Sequence, residues 1–234
     1  MKRFILLTIL CCLVLSISAQ IARDEIFEDI YTLAGYRAGE IQLESLKLLP
    51  GTEMRHRADE LGIRYSPLPP YEVLQTGEIS VGELQTARRL SRLLDAFYNT
   101  PAWQELTREL ILNDRRFLYR FLAYLTEANL IDQPMSLERR GLVLYEYCKQ
   151  YYPDYRTQAS IAWIEAGMSL KKLPAEHVKT KRQIPPEHWE VIYGNYKPEL
   201  RLCFLPVSTD TEHGYWFGFE SEIQKIAPVF KART

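Results

Sequence analysis

Residues 41–74 read IQLESLKLLPGTEMRHRADELGIRYSPLPPYEVL, and this stretch decides how the rest of the chain is interpreted. Over Glu40–Leu49, apolar and polar residues alternate and then give way to a short apolar run, which predicts a mostly buried strand. Pro50 and Gly51 end this strand, because proline cannot donate to a strand ladder and glycine tolerates positive φ.

Helices are predicted on both sides of the strand. Thr52 is placed to cap a helix that runs to Leu61, with Gly62 as its C′ residue. Before the strand, Glu25–Leu33 carries apolar residues at helical spacing. The order helix, strand, helix suits a parallel α/β layer. Because each buried unpaired backbone group costs about 1–3 kcal/mol, such a strand needs neighbours that the chain does not supply.

Four motifs and Tyr65 resemble, in order, the C-terminal end of the barrel in radical S-adenosylmethionine enzymes: EIQL at 40–43, LKLLPGT at 46–52, ADELG at 58–62 and PPYEVL at 69–74. Among these enzymes, the chain resembles cobalamin-binding members that carry a further helical domain of unknown function after the core. The resemblance spans Glu25 to about Asn99, and beyond that it rests on the helical pattern.

The resemblance implies two sets of site residues, because the carboxyl ends of barrel strands face the reaction chamber. The first set would wall the adenosine of S-adenosylmethionine: Leu48, Leu49, Pro50 and Gly51. The second would line the substrate space: Glu44, Lys47, Tyr71 and Glu72. The alternative is that Pro50-Gly51 is only a turn and Tyr71-Glu72 only a loop against the helices. No catalytic residue is assigned.

The cysteines depart from the pattern of these enzymes, which hold a [4Fe–4S] cluster on the three thiolates of CxxxCxxC. The four cysteines are Cys11, Cys12, Cys148 and Cys203, and no arrangement of them supplies that motif. S-adenosylmethionine, the cluster and cobalamin are therefore expected of the parent family and not of this chain. The chain is interpreted as a truncated product, a remnant, or a split subunit whose partner is a separately encoded radical S-adenosylmethionine core. Whether it is an enzyme stays open.

The N-terminal residues resemble a signal for export, whereas the resemblance to radical S-adenosylmethionine enzymes implies a cytoplasmic protein. Lys2-Arg3 precedes the apolar run Phe4–Ile17, and small residues follow to Ala19, as in a secretory signal peptide. This run is shorter than the about 20 residues of a membrane span, so no stable span is expected. One interpretation is that residues 1–20 export the protein. The other is that they are a spurious N-terminus and that the protein is cytoplasmic, as iron–sulfur and cobalamin chemistry implies.

Composition excludes several other functions. The chain has 29 basic and 30 acidic residues, and this balance provides no field that attracts nucleic acid. The four histidines lack HExxH or other paired spacing, so no metal site is predicted. GxSxG, the Walker loop and the dinucleotide fingerprint are also missing from the sequence.

A run of helices follows the resemblance to the barrel. Ser80-Val81-Gly82-Glu83 is a capping box that opens a helix to about Tyr98, and Thr100-Pro101 opens the next. Further helices are predicted over Arg115–Asn129 and from the cap Ser136 to Tyr151, which makes a bundle. Five tyrosines and a cysteine near the end of the last helix are predicted to be core residues: Tyr145, Tyr147, Cys148, Tyr151, Tyr152 and Tyr155.

The composition changes after Pro174. Lys179–Pro186 is predicted to be a linker, and Pro185–Trp189 to open a short helix. Leu200–Val207 and Gly214–Phe219 predict a β-hairpin joined by turn-forming residues.

The predicted fold class is α+β and mainly α: a fragment of a (β/α) partial barrel, a helical bundle and a C-terminal β-hairpin. The predicted divisions are 1–20, 21–79, 80–173 and 174–234. Two other functions stay open beside the radical S-adenosylmethionine part, namely an exported helical protein that binds a ligand, and a cytoplasmic scaffold or regulatory module.

Overall fold

Helices make up most of the described chain, which in this computed structural model comprises residues 25–175, 178–179, 201–207, 213–220 and 227–233. The predicted class, α+β and mainly α, is confirmed. The signal-like segment 1–20, most of the linker predicted over Lys179–Pro186 and the short helix predicted at Pro185–Trp189 lie outside the described residues.

The chain divides into two compact units, Met1–Pro134 and Met135–Thr234. The described helices up to residue 127 belong to the first unit and those from residue 137 onward to the second. The divisions 21–79, 80–173 and 174–234 follow motif order and composition rather than compactness, and they stay a prediction.

The first unit begins with helix α1 over residues 25–35, which confirms the helix predicted there. The strand predicted over Glu40–Leu49 is wrong. That segment is extended, but only Lys47 forms a bridge, and it pairs antiparallel with Glu72. The reason is non-local, because an extended segment becomes a strand only where neighbouring chain pairs with its backbone.

The helix predicted from Thr52 to Leu61 is shorter in the structure, where α2 spans only Glu53–His56. None of its residues is buried, so packing does not extend it, and turns continue the chain to Gly62. Thr52 precedes α2 without capping it, because its hydroxyl donates to the carbonyl of Leu49 at 2.9 Å. Gly51 and Gly62 have positive φ of 82° and 62°, as a turn and a helix end require.

A small antiparallel pair follows, in which β1 (Arg64–Tyr65) lies beside β2 (Val73–Gln75). Leu48, Ala58 and Val73 form a buried cluster against it, and Ile63, Tyr65 and Leu84 pack on that cluster. Instead of the parallel layer expected from the helix–strand–helix order, the described pairing of this segment is antiparallel.

Three helices complete the first unit: α3 (Val81–Leu93), which continues as a π-helical segment (Leu94–Tyr98), α4 (Pro101–Asn113) and α5 (Phe117–Glu127). The capping box is confirmed, since the Ser80 hydroxyl accepts from the Glu83 amide and the Glu83 carboxylate accepts from the Ser80 amide. The Phe121 ring lies 4.9 Å from that of Phe97 and 5.4 Å from that of Phe117, which gives this unit an aromatic core.

In its described residues, the second unit joins two α-helices to a four-stranded antiparallel sheet. Helix α6 (Leu137–Tyr151) begins at the predicted cap Ser136, and α7 (Arg156–Glu165) follows a short 3₁₀ turn. The sheet order is β3 (Val178–Lys179), β4 (Arg201–Pro206), β5 (Gly214–Phe219) and β6 (Phe230–Arg233). The predicted hairpin is confirmed as β4–β5, and it gains a strand on each edge.

Candidate functional site

Three extended stretches lie side by side where the sequence places its site residues, and we call residues 46–48, 64–66 and 71–75 the three-stretch sheet. The Leu48 amide donates to the Tyr71 carbonyl and the Val73 amide to the Leu46 carbonyl, each at 2.9 Å. On the other side, the Ser66 amide donates to the Glu72 carbonyl at 2.9 Å. The structure thus pairs Lys47 and Leu48 with Tyr71 and Glu72, although these residues lie near opposite ends of the stretch 41–74.

Arg55 of helix α2 contacts this sheet through one hydrogen bond and two cation–π contacts. Its Nη1 donates to the Leu48 carbonyl at 3.0 Å. Its guanidinium carbon lies 4.9 Å from the centre of the Tyr65 ring and 5.0 Å from that of the Tyr71 ring. All three side chains are partly buried, and the cation lies within the distance at which it is attracted to each ring. Sequence reasoning missed Arg55, because no local pattern relates it to tyrosines 10 and 16 positions later.

Tyr71 has a φ of 59°, in the left-handed region that an aromatic residue rarely adopts. Such a conformation costs about 1–3 kcal/mol and persists only where its surroundings hold it. Here its amide donates to the Leu68 carbonyl, its carbonyl accepts from Leu48, and its ring faces Arg55. Tyr71 is therefore a strained residue held at the centre of the three-stretch sheet.

Glu72 is held by Arg88 of helix α3, whose Nη2 lies 2.8 Å from the Glu72 carboxylate oxygen. Arg88 also donates to the Ser45 hydroxyl at 3.5 Å and to the Val73 carbonyl at 3.4 Å. One guanidinium therefore joins α3 to two of the neighbouring extended segments. The Glu72 carboxylate makes an ion pair in this geometry and is not placed as an unpaired general base.

The residues predicted to wall the adenosine and to line the substrate space differ in how exposed they are. The adenosine-wall set has one buried member, Leu48, whose side chain lies in the small core, whereas Leu49, Pro50 and Gly51 are exposed at the turn. Of the substrate-lining set, Glu44 and Lys47 are exposed and the other two are partly buried. The assigned roles of both sets stay predictions.

The described cysteines, Cys148 and Cys203, are both buried. Burial raises the pKa of Cys148 to about 12, so its thiol stays protonated at neutral pH and is a poor nucleophile or ligand. Tyr145 and Tyr147 are buried, as predicted for core residues, but Tyr151 is exposed. The prediction was wrong for Tyr151 because it follows Tyr147 at the last turn of α6, where the helix ends at the surface.

Within the described ranges, no three His, Cys, Asp or Glu side chains group closely enough to hold a metal ion. The same ranges contain no helix with the length and apolarity that crossing a membrane requires.

Residues 59–170 match a protein family that is described as a protein of unknown function (DUF4080). The match covers just under half of the chain, begins before β1 and ends just past α7. It includes Tyr71, Glu72 and Arg88. No curated protein matches the chain, and no solved structure does so either.

Proposed function

We propose that this chain is a non-catalytic part of a cobalamin-dependent radical S-adenosylmethionine enzyme, and that the cluster-bearing core is a separate polypeptide. The observation that carries the proposal is the match over residues 59–170, because domains of that family are known to associate with radical S-adenosylmethionine and cobalamin proteins. The match contains PPYEVL and the helices after it, so it coincides with the part of the resemblance that concerns the helical domain of unknown function.

The donor atoms of the described residues support a non-catalytic role. A [4Fe–4S] cluster of this type needs three accessible thiolates, whereas Cys148 and Cys203 are buried and Cys148 has a raised pKa. The described residues therefore do not fit the cluster. For S-adenosylmethionine, Leu49, Pro50 and Gly51 offer one exposed edge of a binding site, and a core would have to supply its remaining walls.

Anaerobic reconstitution with iron and sulfide tests this role. We expect the purified chain to gain neither stoichiometric iron nor cluster absorbance. A core that carries CxxxCxxC and is encoded beside this chain should form a cluster alone, and it should cleave S-adenosylmethionine faster when this chain is added. A stoichiometric cluster on this chain, or a core whose activity and purification are indifferent to the chain, would refute the proposal.

In this proposal the chain is cytoplasmic, because the chemistry of its partner needs a reducing compartment. Mass spectrometry of the native protein tests the location. We expect peptides that begin at or near Met1, whereas a native N-terminus near Gln20 would show export and support a ligand-binding protein outside the cytoplasm.

A further inference from the structure

Residues 38–45, which we call the strap, run from the end of helix α1 to the three-stretch sheet without forming a helix or a paired strand. The Ala38 amide bonds back to the Leu33 carbonyl at the end of α1. Within the described part of the chain, no backbone group of residues 39–45 bonds to another backbone group. Of the residues in the strap, Ile41 alone is buried. The position of the strap therefore depends on a small number of side-chain contacts.

Asn99 and Tyr98 supply the central contacts. The Asn99 Oδ1 accepts from the Ile41 amide and its Nδ2 donates to the Ile41 carbonyl, each at 2.9 Å. The Tyr98 hydroxyl donates to the Ala38 carbonyl at 2.7 Å. Two further side-chain hydrogen bonds reach the strap: Gln104 Nε2 to the Gly39 carbonyl at 2.6 Å, and Arg88 Nε to the Ser45 hydroxyl at 3.5 Å. Asn99 thus holds both backbone groups of the one buried residue.

The π-helical segment at the end of α3 places Tyr98 and Asn99 against the strap. The Asn99 amide donates to the Leu94 carbonyl at 2.7 Å, five positions back, where an α-helix would use the Asp95 carbonyl. In this arrangement the Asp95 carbonyl accepts from the Thr100 hydroxyl at 2.8 Å, and the Asp95 carboxylate accepts from Asn99 Nδ2 at 2.9 Å. Side chains therefore provide partners for the groups that leave the α-helical pattern, as expected of a built-in feature.

Two hydrogen-bond patterns are accessible to this segment. In the π pattern, Asn99 is directed at Ile41 and the strap is closed. When the bonds to Ile41 break, the Asn99 amide can move to the Asp95 carbonyl and restore the ordinary α-helical pattern. We propose that the π-helical segment is a latch: the strap detaches as one unit when the segment changes from π to α, while α3 and α4 stay folded. Segments with few buried apolar contacts open in this way before global unfolding.

The latch involves no second polypeptide, so its failure and that of the proposed function are distinguishable. A core that does not bind this chain would refute the proposed function and leave the latch standing. Release frees the strap, which joins α1 to the three-stretch sheet, together with the Tyr98 hydroxyl. The test therefore follows the purified full chain alone.

Trypsin cleavage of the native chain after Arg37 reports release, because that bond joins the end of α1 to the strap and proteases cut locally opened chain. Asn99→Ala removes both hydrogen bonds to Ile41 and favours an α-helix. We expect it to speed this cleavage at least about tenfold and to change cleavage after Arg120, inside α5, less than about twofold. Asn113→Ala is the matched control, because Asn113 is exposed at the end of α4, and it should change neither rate by more than about twofold.

A second measurement identifies the acceptor of the residue-99 amide by the NMR scalar coupling across its hydrogen bond. We expect coupling to the Leu94 carbonyl in the wild type and to the Asp95 carbonyl in Asn99→Ala. Unchanged cleavage after Arg37, equal acceleration after Arg37 and Arg120, or a coupling to Leu94 that persists in the variant would each overturn the latch. If Asn99→Ala does not fold, the wild type decides: cleavage after Arg37 should depend on urea less steeply than cleavage after Arg120, and equal slopes would show that the strap opens only with global unfolding.

Discussion

Replacing Arg55 by methionine should loosen the three-stretch sheet, because that one side chain joins three parts of it. Methionine keeps a flexible apolar stem of similar length and removes only the cation and its donors. The change therefore deletes the hydrogen bond to the Leu48 carbonyl and the contacts with the Tyr65 and Tyr71 rings. Arg55→Lys is the intermediate variant, because it keeps the charge but lacks the planar group that faces the rings.

The expected loss follows from these contacts. A cation–π contact at a partly exposed site contributes about 0.5–1 kcal/mol, and Arg55 makes two. The hydrogen bond from a charged donor to the Leu48 carbonyl adds about 1 kcal/mol, at the low end because solvent reaches the site. Since the three contacts share one group, their sum is about 2 kcal/mol. We expect Arg55→Lys to lose about half of that.

Two assays check this loss at different scales. Urea unfolding gives the global free energy, and amide hydrogen exchange at Leu48 and Val73 gives the local opening of the sheet. The double variant Arg55→Met, Tyr71→Leu should lose less than the sum of the single variants, with a coupling of about 1 kcal/mol. If Arg55→Met lies within about 0.5 kcal/mol of wild type and exchange at both amides is unchanged, Arg55 is only a surface residue.

Three further predictions concern other parts of the chain. Gly218→Ala should destabilise the second unit by about 1–3 kcal/mol in thermal melts, because its Cβ would overlap the Phe230 ring. Cys148 should resist thiol reagents at pH 8 in the native protein and react once urea unfolds it, because burial raises its pKa to about 12. The hydrogen bond from Arg89 lowers the pKa of Asp132. The ionised Asp132 carboxylate therefore stabilises the fold above about pH 4, and this stabilisation is lost as the pH falls through the lowered pKa. The melting-temperature difference between wild type and Asp132→Asn should therefore shrink between pH 7 and pH 3.

The helices could be predicted from the sequence because their signals are local. Ser80 and Glu83 lie three positions apart, so the capping box is visible in four letters, and the structure forms both of its hydrogen bonds. The starts of α4 at Pro101 and of α6 after the cap Ser136 are likewise visible in adjacent residues of the sequence. The β4–β5 hairpin could also be predicted, because its two apolar runs are separated by a short polar loop.

The extended segment 40–49 could not be predicted correctly, because its alternation specifies an extended backbone but not its neighbours. Its described partner, residues 71–73, lies more than 20 positions away and runs antiparallel. The candidate site could be predicted only in part for the same reason, because its contacts join residues that are distant in sequence. Tyr71 and Glu72 were singled out by the PPYEVL motif, whereas Arg55 and Arg88, which hold them, carry no sequence signal that relates them to the site.

The strain at Tyr71 is held by a contact of its ring and a hydrogen bond of its carbonyl. Glycine would adopt a φ of 59° without cost, but it would lose the ring that meets Arg55. The Tyr71 carbonyl also accepts a hydrogen bond from the Leu48 amide, and Arg55 donates to the Leu48 carbonyl. Both backbone groups of Leu48 therefore depend on the strained residue and on the arginine that meets its ring.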